Sequence, residues 1–161
     1  MKSNIALVCL SNNFLKNLGQ MLADDLDMFF ADIDDILEYN LVNDDMLDMA
    51  GKDYFDKEKE KVIKSVCQYD NSVICGRFET IINNVEKIKD NSLLIYIKIN
   101  DELFQKYECS NNSNYRIKEI AFEEENQLIS QFADISLELS ADDKGNIEKI
   151  KSVILDYYKE N

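Results

Sequence analysis

The feature that most constrains this chain is its opening. Ile5 to Leu10 is an unbroken apolar run, and after a short polar break Leu15, Leu18, Leu22 and Leu26 recur at helical spacing. A strand that is apolar at every position is buried on both faces, as an interior strand of a parallel sheet is. Leucines three and four apart lay one apolar stripe along a helix, and Asp24 and Asp25 fall on its wet side. Asn12 or Asn13 can cap that helix by accepting a hydrogen bond from its first turn. A central parallel strand of this kind needs further strands beside it, joined by crossover connections.

The rest of the chain supplies them. Met28–Ala31 is a second short apolar run, ending in Asp32-Ile33-Asp34-Asp35, and Ile33, Ile36, Leu37 and Leu41 follow at helical spacing. Asn43-Asp44-Asp45 reads as another helix start with Gly51 as its stop. Asp53 to Gln68 is a charged helix with Phe55, Val62, Ile63 and Val66 facing inward. Ser72–Cys75 makes a third strand closed by Gly76, and Ile81, Ile82, Val85 and Ile88 share one helical face. Leu93–Ile97 is a fourth strand, Leu103, Phe104 and Tyr107 mark a short helix, and residues 109–114 form a polar loop. A long helix runs from Ile117 to Phe132. Ile135, Leu137 and Leu139 then alternate with Ser136 and Glu138, the period of a half-exposed strand at a sheet edge. Asn146–Tyr158 closes the chain as a helix.

Five short strands alternating with helices predict an α/β fold, a three-layer α/β/α sandwich with a five-stranded parallel sheet in one domain spanning residues 1–161. Ligands of such sheets bind at the C-terminal ends of the strands. The informative positions are therefore those just after Leu10, Ala31, Cys75 and Ile97.

Charge narrows the partners. The chain carries 32 acidic and 18 basic residues, a net charge of -14. Such a surface repels nucleic acid and anionic membranes, and it favours a basic protein partner over an acidic one. There is no histidine, which removes the commonest general base and transition-metal ligand. The only arginines are Arg77 and Arg116. The four cysteines, Cys9, Cys67, Cys75 and Cys109, have no CxxC spacing and read as reduced structural thiols. No apolar run reaches membrane-spanning length and no leader is read at the N-terminus, so the expected location is the cytoplasm.

The layout resembles the shikimate kinase family of small P-loop kinases. The segments that carry the resemblance are Asn4-Ile-Ala-Leu-Val8 and Leu18-Gly-Gln-Met-Leu-Ala-Asp-Asp-Leu-Asp-Met-Phe-Phe-Ala-Asp-Ile-Asp34. Further on, Gly51-Lys-Asp-Tyr-Phe55, Ser72-Val-Ile-Cys-Gly76 and Phe132-Ala-Asp-Ile135 fall in the family's order. The resemblance implies a P-loop fold, substrate-domain-like helices over 32–65 and a flap-like loop over about 109–116. It also implies Mg and ATP as the cofactors of an active member.

The functional residues carry over poorly. A P-loop needs Gly-x-x-x-x-Gly-Lys-Ser/Thr so that bare backbone can approach phosphate. Aligned on Gly19 and Leu22, the two glycines become Cys9 and Phe14, the lysine becomes Leu15 and the magnesium hydroxyl becomes Lys16. Shifted by one, they become Leu10, Leu15, Lys16 and Asn17. The nucleotide-binding remnant is thus Asn12, Asn13, Phe14, Leu15, Lys16 and Asn17, with the Phe14 or Leu15 side chain expected in the phosphate space. The family's carboxylate-clamping arginine corresponds to Asp56, its glycine run to Gly76-Arg77-Phe78, and its late substrate arginine falls near Asn126. Asp32 and Asp34 survive. By resemblance Asp32 supports the metal, and Asp34 contacts substrate as the candidate base, with Gly76 and Arg77 completing a substrate-binding remnant. By chemistry alone, two carboxylates at the C-terminal end of a strand suit either a divalent ion held through water or a helix start, where they offset the positive end of the dipole.

Three functions compete. The favoured one is a shikimate kinase-like pseudoenzyme without phosphotransfer, needing no cofactor and acting through an unidentified protein partner. The alternatives are an active ATP-dependent phosphotransferase with an atypical loop, and a small-ligand binding domain using the old substrate cleft.

Overall fold

The computed structural model describes residues 2–108 and 115–161, with residues 115–122 traced as helical backbone. In chain order the elements are β1 (Asn4–Val8), α1 (Asn12–Leu26), β2 (Phe29–Asp32), α2 (Ile33–Tyr39), α3 (Asp44–Ala50), α4 (Lys52–Cys67) and β3 (Ser72–Cys75). They continue with α5 (Phe78–Asn83), α6 (Val85–Lys89), β4 (Ser92–Ile99), α7 (Asp101–Glu108), α8 (Tyr115–Ser130), β5 (Ile135–Leu139) and α9 (Asp143–Glu160). The strands form one parallel sheet in the order β2-β3-β1-β4-β5. β1 lies at its centre with every residue buried, as its apolar run requires. β5 lies at one edge with the alternating burial its sequence pattern predicts. At the other edge is β2, which leaves Phe29 72% exposed.

Successive β1 side chains point to opposite layers. Ile5 and Leu7 join Phe14, Leu15, Leu18 and Leu22 of α1 and Ile147 and Ile150 of α9. Ala6 and Val8 join Ile33, Ile63, Ile81 and Ile129 from α2, α4, α5 and α8. Gly19 lets α1 lie close to the sheet, since a Cβ there would stand 2.7 Å from the Phe30 ring. At the opposite end of the sheet Asn4 is buried. Its Oδ1 accepts from the Ser72 amide at 2.9 Å and its Nδ2 donates to the Tyr69 carbonyl, tying β1 to the entry of β3.

Two local expectations change. The apolar run outlasts its strand: pairing stops at Val8, and Cys9 is apolar because it is buried in the α1 layer. The face Ile81–Ile88 is two helices, broken at Asn84 (φ -127, ψ 19), whose Nδ2 donates to the Thr80 carbonyl at 2.8 Å. The polar segment 109–114, with most of the flap-like stretch, lies outside the described residues. No described helix is long and apolar enough to cross a membrane.

Candidate functional site

The turn between β1 and α1 is built around Ser11. Its backbone is extended (φ -100, ψ 105), so it can cap α1, and its Oγ accepts from the Phe14 amide at 3.2 Å. The same hydroxyl donates to Oε1 of Glu108 at 2.6 Å, and the Asn13 amide donates to that oxygen at 3.3 Å. The Asn13 side chain donates to the Tyr107 carbonyl at 3.2 Å. α1 has no acidic residue in its own first turn. Glu108, the last residue of α7, therefore brings a carboxylate to the positive end of the α1 dipole.

Phe14 and Leu15 do not fill that space, contrary to the expectation from sequence. Both are buried in the α1 layer, and Phe14 meets Tyr107 edge-on at a centroid distance of 5.4 Å. They belong to the helix's apolar stripe, and the stripe faces the sheet. Lys16 turns toward α2: its ammonium is 2.7 Å from Oδ1 of Asp35 and 3.9 Å from Oδ2 of Asp32. The hydrogen bond to Asp35 holds the Lys16 ammonium above its ordinary pKa, against a smaller opposing effect of burial. Asn17 is exposed and reaches along its own helix to Met21.

Asp32 is buried at the C-terminal end of β2 and caps α2. Its Oδ1 accepts from the Asp35 amide at 3.1 Å, and its Oδ2 accepts from the Cys75 thiol at 3.5 Å. Burial is the main influence raising the Asp32 carboxyl, and burial also raises the Cys75 thiol. Among the described residues no three His, Cys, Asp or Glu side chains gather as metal ligands would.

Asp34 sits in the first turn of α2 with both oxygens engaged. Oδ2 accepts from the Arg77 amide at 2.5 Å and Oδ1 from the Thr80 hydroxyl at 2.9 Å. Gly76 makes this approach possible, because a Cβ there would lie 3.0 Å from Oδ2 of Asp34. The sequence remnant Asp34, Gly76 and Arg77 is thus brought together. Asp34 and Arg77 line a pocket of about 220 Å³ with Glu38, Asp44, Phe55 and Lys59. Asp56 is not among its lining residues. Lys59, one helical turn on, is, with its ammonium 5.9 Å from the Phe55 ring centroid. The helical period of α4 was the signal for it.

A second cleft of about 450 Å³ lies over the start of α1, lined by Asn12, Lys16, Arg77, Glu79, Glu108 and Glu125. Burial, followed by the charge of Glu79, raises the Glu125 carboxyl. Cys9, beneath the turn, is pushed up to about 12, chiefly by burial. Asn12 Oδ1 and the Tyr96 hydroxyl are buried without hydrogen-bond partners. Neither Glu108 nor Glu79 stood out in the sequence. Glu108 acts on a turn 97 residues away, and no local pattern announces that contact.

Comparison with known proteins gives this geometry a context. A family model described as shikimate kinase matches residues 16–158. The shikimate kinase of Aquifex aeolicus vf5 is 22% identical with a TM-score of 0.74, over 98% of this chain and 99% of that one. The Acinetobacter baumannii shikimate kinase, solved in complex with shikimate, is 19% identical with a TM-score of 0.78, over 97% and 94%. The Bacteroides thetaiotaomicron shikimate kinase is 14% identical with a TM-score of 0.79, over 96% and 99%. No curated protein matches the chain. At these identities the likeness to the solved structures is one of fold.

Proposed function

Because this chain belongs to the shikimate kinase family, we propose that it is a pseudoenzyme of that family. It keeps the kinase architecture, does not transfer phosphate, and serves an interaction or regulatory role.

The observation that carries this reading is the Glu108 carboxylate at the start of α1. A P-loop offers bare amides and a positive helix end to phosphate. Here the Ser11 hydroxyl and the Asn13 amide already serve a carboxylate. A phosphate oxygen about 4 Å from it would meet a repulsion of about 4 kcal/mol per pair of unit charges at an effective dielectric of about 20. Glu79 and Glu125 line the same cleft, and the Lys16 ammonium is engaged by Asp35 and Asp32. No glycine lies between Cys9 and Leu18, so the turn carries a side chain at every position. These residues do not fit Mg-ATP.

The alternative, an active phosphotransferase using Asp34 as base and Asp32 near the metal, draws on carboxylates that already have structural duties. Asp32 caps α2, and Asp34 joins α2 to the β3–α5 turn.

Calorimetric titration with Mg-ATP at low salt separates the two. The expected result is no saturable heat up to millimolar nucleotide. Saturable micromolar binding would overturn the pseudoenzyme reading.

A further inference from the structure

The helices α2, α3 and α4 and the turn between α2 and α3 expose apolar side chains that the fold does not use. Tyr39 is 87% exposed, Leu41 69%, Met49 89% and Tyr54 50%. α3 packs against α4 and turns the partly buried Met46 toward the core, yet none of its residues is fully buried and Met49 faces water.

Leu41 is the most informative of these residues. The Val42 amide donates to the Leu37 carbonyl at 2.9 Å, and the Leu41 amide donates to the Glu38 carbonyl at 3.0 Å. That is the paired bonding of a helix stop whose key residue is normally glycine or asparagine. Here it is a leucine at φ 60. A branched side chain in the left-handed region costs on the order of 1 kcal/mol. The residue is both strained and turned to water, so neither packing nor backbone preference explains it.

Charge indicates what would cover these residues. Residues 33–54 hold seven acidic side chains and one lysine, and the rest of α4, to Cys67, adds three acidic side chains and four lysines, so the acidity is concentrated toward α2 and α3. Asp44, Asp45, Asp48 and Asp53, in the same stretch of chain as Leu41, Met49 and Tyr54, are all exposed. Methionine and leucine set among carboxylates suit a cationic amphipathic helix, which buries its apolar stripe while its lysines or arginines meet the acids. A second copy of this chain would bring the same acidic segment and a further net charge of -14 against the first. Anionic lipid is repelled for the same reason.

We infer that the α2–α4 corner is a docking surface for a basic amphipathic helix of a partner protein. Tyr39, Leu41, Met49 and Tyr54 are the apolar contacts, and Asp44, Asp45, Asp48 and Asp53 set its charge. The inference rests on the interaction role proposed above. It is tested without nucleotide, so it and the Mg-ATP titration can fail separately.

The probe is a fluorescein-labelled synthetic lysine–leucine amphipathic peptide, titrated with the full chain and read by fluorescence anisotropy. One-to-one micromolar binding is expected. The double variant Leu41→Asn, Met49→Ser keeps the charge and should weaken binding at least tenfold. Asparagine suits the left-handed backbone at 41, so thermal unfolding should show a folded variant at least as stable as wild type there. Leu155→Asn removes an apolar residue 61% exposed on α9 and should leave binding unchanged. Wild-type affinity in the double variant overturns the inference. So does equal weakening by Leu155→Asn, or a sedimentation-detected dimer of wild type that the double variant abolishes.

Discussion

Asp32 and Glu108 are two carboxylates at helix starts, the first on the helix it caps and the second brought to α1 from the end of α7. Burial raises Asp32 above its ordinary value of 3.8, so the folded chain holds that proton more tightly than the unfolded one. Between 3.8 and the raised value the folded state carries the extra proton, so stability falls as pH climbs through that window. Asp32→Asn removes this effect. In urea unfolding at stepped pH, the stability of the variant relative to wild type should increase across the window and stay level above it. Glu108 accepts from the hydroxyl of the buried Ser11 and from the Asn13 amide, and its contribution is a cap supplied from another helix. Glu108→Ala should cost about 1 kcal/mol, the usual worth of a helix cap, and Glu108→Gln about half of that, since it loses the charge and keeps an acceptor. Equilibrium unfolding at pH 7 measures both. Asp32 was legible as a helix-start carboxylate because it follows an apolar strand and precedes a helical repeat. Glu108 was not, because only the tertiary fold brings the end of α7 to the start of α1.

At the scale of elements, the link between α2 and the β3–α5 turn depends on a single carboxylate. Gly76→Ala would place a methyl 3.0 Å from Oδ2 of Asp34 and should cost about 1–2 kcal/mol. Thr80→Val removes the hydroxyl bonded to Oδ1 and should cost about 1 kcal/mol. Because both act through Asp34, the double variant should cost less than their sum, which a double-mutant cycle reads directly. The elements themselves were largely visible in the sequence. The unbroken run Ile5–Leu10 marked β1 as interior, and the alternation in Ile135–Leu139 marked β5 as an edge. The break at Asn84 was hidden, because Ile81, Val85 and Ile88 keep helical spacing across it while the backbone does not. The Phe14 and Leu15 expectation failed for a related reason. Their alignment with a glycine and a lysine said where they stand along the chain, and the direction of the apolar stripe decided where they point.

For the whole molecule, a net charge of -14 means that the folded chain repels itself. Raising NaCl from about 0.02 M to about 0.3 M shortens the screening length to below about 10 Å and should raise the melting temperature. A melting temperature that falls or stays constant in a salt series would show that local ion pairs, such as Lys16–Asp35, outweigh the global repulsion. The sheet order carries a consequence of a different kind. β1 occupies the centre, yet its neighbours start only at Ser72 and Ser92, and nothing nearer in sequence pairs with it. During synthesis the first strand of this sheet to leave the ribosome is therefore the one that waits longest for its partners. Until β4 has emerged, the most apolar stretch of the chain has no completed sheet to enter. Folding of this architecture is expected to be slow to nucleate, governed by contacts distant along the chain, and a nascent fragment ending before Ser92 would be the form most exposed to aggregation.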